Sequence, residues 1–134
     1  GLGLLDVSTA LAVEKTLLRT SATHLPSGLE VVGYEIHHGL TDVQRERELF
    51  RTGNNNATLG VSNGQGNIWG TYLHGVFDAD PFRRWFIDRL RERRGLAPLG
   101  GVTAVYDIHA ALDRLADVVR ASLDINTIYD WMGL

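Results

Sequence analysis

The chain contains no cysteine. That absence excludes disulfides, thiolate metal sites and a cysteine nucleophile within these residues. Lysine is almost missing too: Lys15 stands alone beside arginines among 13 basic residues, a bias read as genome composition. With 16 acidic residues the formal charge is −3, which leaves no basic surface for nucleic acid and no polybasic membrane patch. No apolar run approaches the ~20 residues that cross a bilayer, and no basic-then-apolar leader is present. A cytoplasmic protein is the expectation.

What is present suffices for one core. At 134 residues and 44% hydrophobic, a second domain is not expected. "GLGLLDVST" starts without methionine and with an apolar segment already under way, whereas natural termini are usually polar and frayed. Residues 1–134 are therefore expected to be the C-terminal piece of a longer chain, with "YDWMGL" as the natural end.

Gly1 to Ser8 reads as a loop entering a short apolar strand. "KTLLRTSATHL" (Lys15–Leu25) and "LEVVGYEIHHG" (Leu29–Gly39) read as strands joined by the tight turn "PSG", a candidate hairpin. Gly33 inside the second strand suggests a bulge or the close approach of another backbone. From Thr41 to Asn56 the pattern fails, and an exposed loop or short helical turn is expected. "ATLGVSNGQGNIWGTYLHG" reads as two short strands around "NGQG", since Asn and Gly accept positive φ. Asp80 before Pro81 predicts an N-cap with proline at the first helical position. Phe82, Trp85, Phe86 and Leu90 recur at helical spacing, with arginines and an aspartate opposite, and Gly95 ends the helix. After the linker "LAPLGG", Asp107–Leu123 reads as an amphipathic helix and Asp124–Met132 as a shorter one capped by Asp124. The class is α/β, with strands followed by C-terminal helices.

Of the five histidines, His24 and His109 lie in ordinary contexts. His37 and His38 alternate across a strand, so their rings cannot chelate one metal together. Glu35 and His37 share a face, but with His74 they form no recognised four-ligand spacing, and no metal site is expected. His74 differs. The preceding "IWGTYL" reads as buried, and Gly70 and Gly75 leave room around the imidazole. One reading is a buried histidine bonded to backbone. The other is a catalytic base, because a neutral imidazole near its reference pKa can deprotonate a thiol and later protonate a leaving amine.

"EKT" at Glu14–Thr16, "GYEIHHG" at Gly33–Gly39, "GTYLHGVFD" at Gly70–Asp78 and "DRLADVVR" at Asp113–Arg120 occur in order. Together they resemble the C-terminal glutamine amidotransferase domain of the cobyric acid synthase family of cobalamin biosynthesis. The resemblance implies part of a class I amidotransferase-like (flavodoxin-like) domain that hydrolyses glutamine by a cysteine–histidine pair. It implies an N-terminal synthetase domain in the same polypeptide, which uses ATP and Mg²⁺ to amidate adenosylcobyrinic acid a,c-diamide; no cofactor is implied for this chain.

His74 matches the family's catalytic histidine, and the cysteine is expected upstream of Gly1. Glu35, His37, Tyr72 and Gly75 are the pocket candidates. Many class I amidotransferases carry a glutamate two residues after the histidine; here Val76 occupies that place, leaving Asp78, Glu35 or a backbone carbonyl to orient the ring. Two alternatives remain, a fragment of cobyrinic acid a,c-diamide synthase and a non-catalytic amidotransferase-like binding module. The fragment reading further predicts His74 in a concavity within reach of Glu35 or His37. It also predicts apolar exposure at Leu2, Leu4, Leu5 and the "IWGTYL" strand rather than on the C-terminal helices.

Overall fold

In the computed structural model, which describes residues 1–134, the first two strands form one long antiparallel hairpin. These are β1 (Val7–His24) and β2 (Leu29–Val43). The turn is closed by the Gly28 N–H donating to the His24 carbonyl at 2.8 Å. β1 begins well before the expected Lys15, because Val7–Leu11 pair with Gly39–Val43 across a register shift between Leu11 and Thr16. Pairing to β2 supplies backbone partners that local propensity does not reveal.

β3 (Arg47–Thr52), β4 (Thr58–Ser62), β5 (Trp69–Thr71) and β6 (Leu73–His74) complete a sheet of order β5-β4-β3-β1-β2-β6. Every ladder is antiparallel. This is an α/β fold with an antiparallel sheet, and these residues contain no parallel pair of the kind a flavodoxin-like sheet is built from. β5 and β6 lie at opposite ends of the strand order yet are separated in the chain by Tyr72 alone. The sheet is therefore curled until its edges almost meet.

β3 corrects the expected loop at Thr41–Asn56. Leu49, Phe50 and Thr52 are buried, and Phe50 is fully enclosed. Arg47, Glu48 and Arg51 surround them in sequence and mask the apolar signal. The polar residues pair with one another, Arg51 with Glu48, whose carboxylate also accepts from the Thr58 hydroxyl at 2.7 Å.

α1 (Asp80–Arg93) follows the turn after β6. Phe82 enters the cluster of Ala22, Val31, Phe50 and Leu73, with Trp69 and Trp85 packed around it. The N-cap is Ala79 rather than Asp80, which lies in the first turn and pairs with Arg83 at 2.5 Å. A proline at the second helical position is equally compatible with a free first-turn donor. The polar face of α1 is not all solvated. Arg84 and Asp88 are buried as an i,i+4 pair at 2.7 Å, and the Asp88 carboxylate accepts the Leu99 and Gly100 N–H groups. Burial pushes the Asp88 carboxyl up, but the backbone bonds and Arg84 together hold it below the usual carboxylate range.

Residues 1–104 form one compact unit and residues 105–134 another. The second consists of α2 (Ile108–Ser122) and α3 (Ile125–Met132); Asp124 caps α3 as the sequence predicts, and Asp107, expected as the first helical residue, is the N-cap of α2. Exposed apolar side chains differ from the expected set. Leu2 and Leu4 are exposed, but Leu5 and Ile68–Tyr72 are half-buried and Leu73 is buried. The apolar exposure lies instead on the hairpin, at Leu11, Val13, Leu17 and Ile36, and along α2 at Leu112, Leu115 and Val118.

His24 is enclosed by Phe50, Phe82 and Trp85 at ring distances of 4.7–5.1 Å. Its Nδ1 bonds the Ser27 hydroxyl at 2.7 Å. Desolvation lowers its pKa from 6.5 to about 4. Above pH 6.5 the ring is neutral in folded and unfolded chains alike. Below that, the unfolded chain takes up a proton that the folded chain refuses until about pH 4. The contribution of His24 is thus complete above pH 6.5 and falls by about 3 kcal/mol on acidification through this window. Urea denaturation across that range should show the loss, and His24→Gln should flatten it.

Candidate active site

His74 is the last residue of β6, and β6 is held to the edge of β2 by the pairs Tyr34–His74 and Glu35–Leu73. Leu73 is buried and anchors the strand, so alternation turns the His74 ring to the exposed face. Directly opposed residues share a face of the sheet. His74 therefore sits with Tyr34 and, one period either side, with Val32 and Ile36, all of them exposed apolar residues.

The chain then reverses. Gly75 takes φ +80°, and the Asp78 N–H donates to its carbonyl at 2.8 Å. A side chain at Gly75 is disfavoured by that backbone conformation, and its Cβ would also lie 2.8 Å from the Asp78 carboxylate. Val76 drops into the core, so the position two residues beyond the histidine cannot reach the ring. Neither Asp78, Glu35 nor a backbone carbonyl bonds the imidazole. The ring is presented to the outside, and it lines neither the cavity beside Glu35 and His37 nor the one beside His24.

Glu35 and His37 occupy the other face. They alternate with Tyr34 and Ile36, lie in register with Leu18 and Thr16, and open into a cavity of about 450 Å³. Glu35 Oε2 is 3.5 Å from His37 Nε2. His37 Nδ1 donates to the Gly39 carbonyl at 2.8 Å, and the imidazole stacks on Tyr72 at 3.9 Å between ring centres. The Tyr72 hydroxyl bonds Thr41 Oγ1 at 2.8 Å, and Thr41 bonds Thr9 at 2.8 Å. The five sequence candidates thus separate into two groups: His74 with Gly75 on one face, and Glu35, His37 and Tyr72 on the other. The expected closeness of His74 to Glu35 or His37, in one concavity, is not what the register of β2 and β6 produces. Thr9 and Thr41 had no sequence signal beyond β-branching, which reads equally well as strand propensity.

The remaining histidines are occupied elsewhere. His24 is a core residue, His38 Nδ1 lies 3.3 Å from the Ala12 carbonyl, and His109 is exposed on α2. No three His, Cys, Asp or Glu side chains converge as a metal-binding group. No helix is long and apolar enough to cross a membrane.

Residues 1–82 match the family model described as the CobB/CobQ-like glutamine amidotransferase domain. The "Adenosylcobalamin biosynthesis bifunctional protein CobDQ" of Leptospira interrogans is 46% identical over 134 residues, covering all of this chain and 16% of that protein. A "Cobyric acid synthase" from Nitratidesulfovibrio vulgaris is 43% identical over 164 residues, covering the whole chain and 30% of the relative. The corresponding protein of Synechocystis is 42% identical over 132 residues, covering 96% of the chain and 26% of the relative. The chain spans less than a third of the length of each of these curated relatives.

Proposed function

This chain belongs to the CobB/CobQ-like glutamine amidotransferase domain family, and from that premise we propose that it is the histidine-bearing part of a glutaminase that feeds ammonia to a cobyric acid synthase. The observation that carries the reading is His74 in "YLHG", fixed by a buried Leu73 and a glycine turn and facing outward with nothing bound to its ring. A histidine held so firmly and left unpartnered is suited to meet a group brought by another segment. The exposed Val32, Tyr34 and Ile36 around it offer that segment an apolar seat.

The chemistry needs a thiol, and this chain has none. The nucleophile belongs to polypeptide outside this sequence, completing a class I amidotransferase-like domain. His74 takes the thiol proton as sulfur attacks the glutamine carboxamide, then returns it to the departing nitrogen as ammonia leaves. Water, deprotonated by the same ring, cleaves the thioester to glutamate and restores the thiol. The ammonia then amidates carboxylates of adenosylcobyrinic acid a,c-diamide in the synthetase part of the longer protein. ATP and Mg²⁺ act there, and no residue of this chain is assigned to them.

The test is direct. The 134-residue chain incubated alone with glutamine should release no ammonia above the uncatalysed rate, because His74 lacks the thiol that splits the reaction into two easier steps. Turnover by this chain alone, unchanged by His74→Ala, would overturn the assignment.

A further inference from the structure

The cavity on the face opposite His74 contains a polar pair that its own surroundings leave incomplete. His37 Nδ1 faces the Gly39 carbonyl at 2.8 Å. A carbonyl only accepts, so Nδ1 carries the hydrogen, and in the neutral ring Nε2 is then an acceptor. Nε2 is buried without a hydrogen-bond partner, and the Glu35 carboxylate, another acceptor, lies 3.5 Å from it. Two acceptors that face each other in a mostly enclosed place require a donor between them. The walls nearby, Leu5, Val7, Leu59 and Val61, offer none. The Tyr72, Thr41 and Thr9 hydroxyls bond one another in a chain, and the Thr71 hydroxyl donates to the Leu59 carbonyl at 2.8 Å.

We propose that the Glu35–His37 pair is a binding site for a compact nitrogen cation, ammonium or a primary ammonium group. Such a group supplies several N–H donors on one atom. One goes to the Glu35 carboxylate as a charge-assisted bond and another to His37 Nε2. The stacked Tyr72 ring fixes the imidazole plane, so the two acceptors are held ready. The cavity of about 450 Å³ leaves room for more than the ion itself, and a primary ammonium can enter with a short substituent. The binding needs neither His74 nor a thiol. Ammonium is the ion the proposed glutaminase would release, but the inference stands on the two facing acceptors and not on that reaction.

The experiment is ¹⁵N NMR of the histidine ring nitrogens in the 134-residue chain at neutral pH. Ammonium chloride and methylammonium chloride should shift the His37 Nε2 resonance in a saturable way. Sodium chloride and tetramethylammonium chloride, which bring no N–H donor, should leave it in place. Glu35→Gln, which keeps the shape and removes the charge, should weaken the effect at least about tenfold, and His74→Ala should leave it unchanged. An equal response to all four salts, or none to any, would overturn the site. So would an Nε2 already protonated without added ammonium, since the pair would then satisfy itself as imidazolium and carboxylate. The salt series is read on the unaltered chain, so it decides the matter even where Glu35→Gln misfolds. No ammonium response in the unaltered chain, with intact glutaminase activity in the longer protein, would reject the site alone.

Discussion

In the longer polypeptide that unites this domain with a synthetase, His74→Ala should lower glutamine-dependent amidation at least about a thousandfold, while amidation fed by ammonium chloride stays within about twofold of the unaltered protein. The asymmetry follows from where the ring acts. It moves a proton to and from the glutamine-cleaving sulfur and touches nothing in the amidation step. Because His74 is exposed at a strand end, with its anchoring supplied by Leu73 and Gly75, removing the imidazole leaves the core unchanged. Equal loss with both nitrogen sources would show that the residue is structural, and the glutaminase reading of the chain would fall with it.

Gly33→Ala should destabilise the domain by about 4 kcal/mol and displace His74. A Cβ at Gly33 would run into the His74 carbonyl oxygen and lie 2.9 Å from Leu73 Cδ1. The carbonyl is backbone and cannot rotate away. β6 must therefore leave β2, giving up the burial of Leu73, worth roughly 2–3 kcal/mol, and two ladder hydrogen bonds of about 1 kcal/mol each. Gly64→Ala is the matching control, since a Cβ there meets nothing within 4 Å. Urea denaturation reads both. A Gly33→Ala variant as stable as the control would mean that the β2–β6 contact contributes little and that His74 is positioned by the following turn alone.

The parts of the molecule legible in sequence were those governed by neighbours in the chain. "NGQG" between short apolar runs marks the β4–β5 connection, and Asp124 caps α3 through the N–H three residues on. Gly33 announced a close backbone approach, and the approaching strand is β6. β3 was hidden because its inward side chains, Leu49, Phe50 and Thr52, sit among charged residues that neutralise one another sideways. Arg84 and Asp88 look like solvent-facing charges, yet both are buried, because a linker eleven and twelve residues farther on brings its N–H groups to Asp88. The site was half legible. "YLHG" identified the histidine, but which face it shares with "GYEIHHG" depends on the register between two strands, and one residue of slip reverses the answer.

Tyr72, the single residue between β5 and β6, has a colloidal consequence. A sheet usually ends in rows of unsatisfied amide groups on which another copy can template itself. Here the two terminal strands are three and two residues long and turn toward each other across that tyrosine. The long hairpin is different: β2 pairs with β6 only at Tyr34 and Glu35, so its outer edge from Ile36 to Val43 carries no ladder partner. In concentrated solution, self-association by strand addition should therefore start on the free edge of the long hairpin rather than at the two short terminal strands.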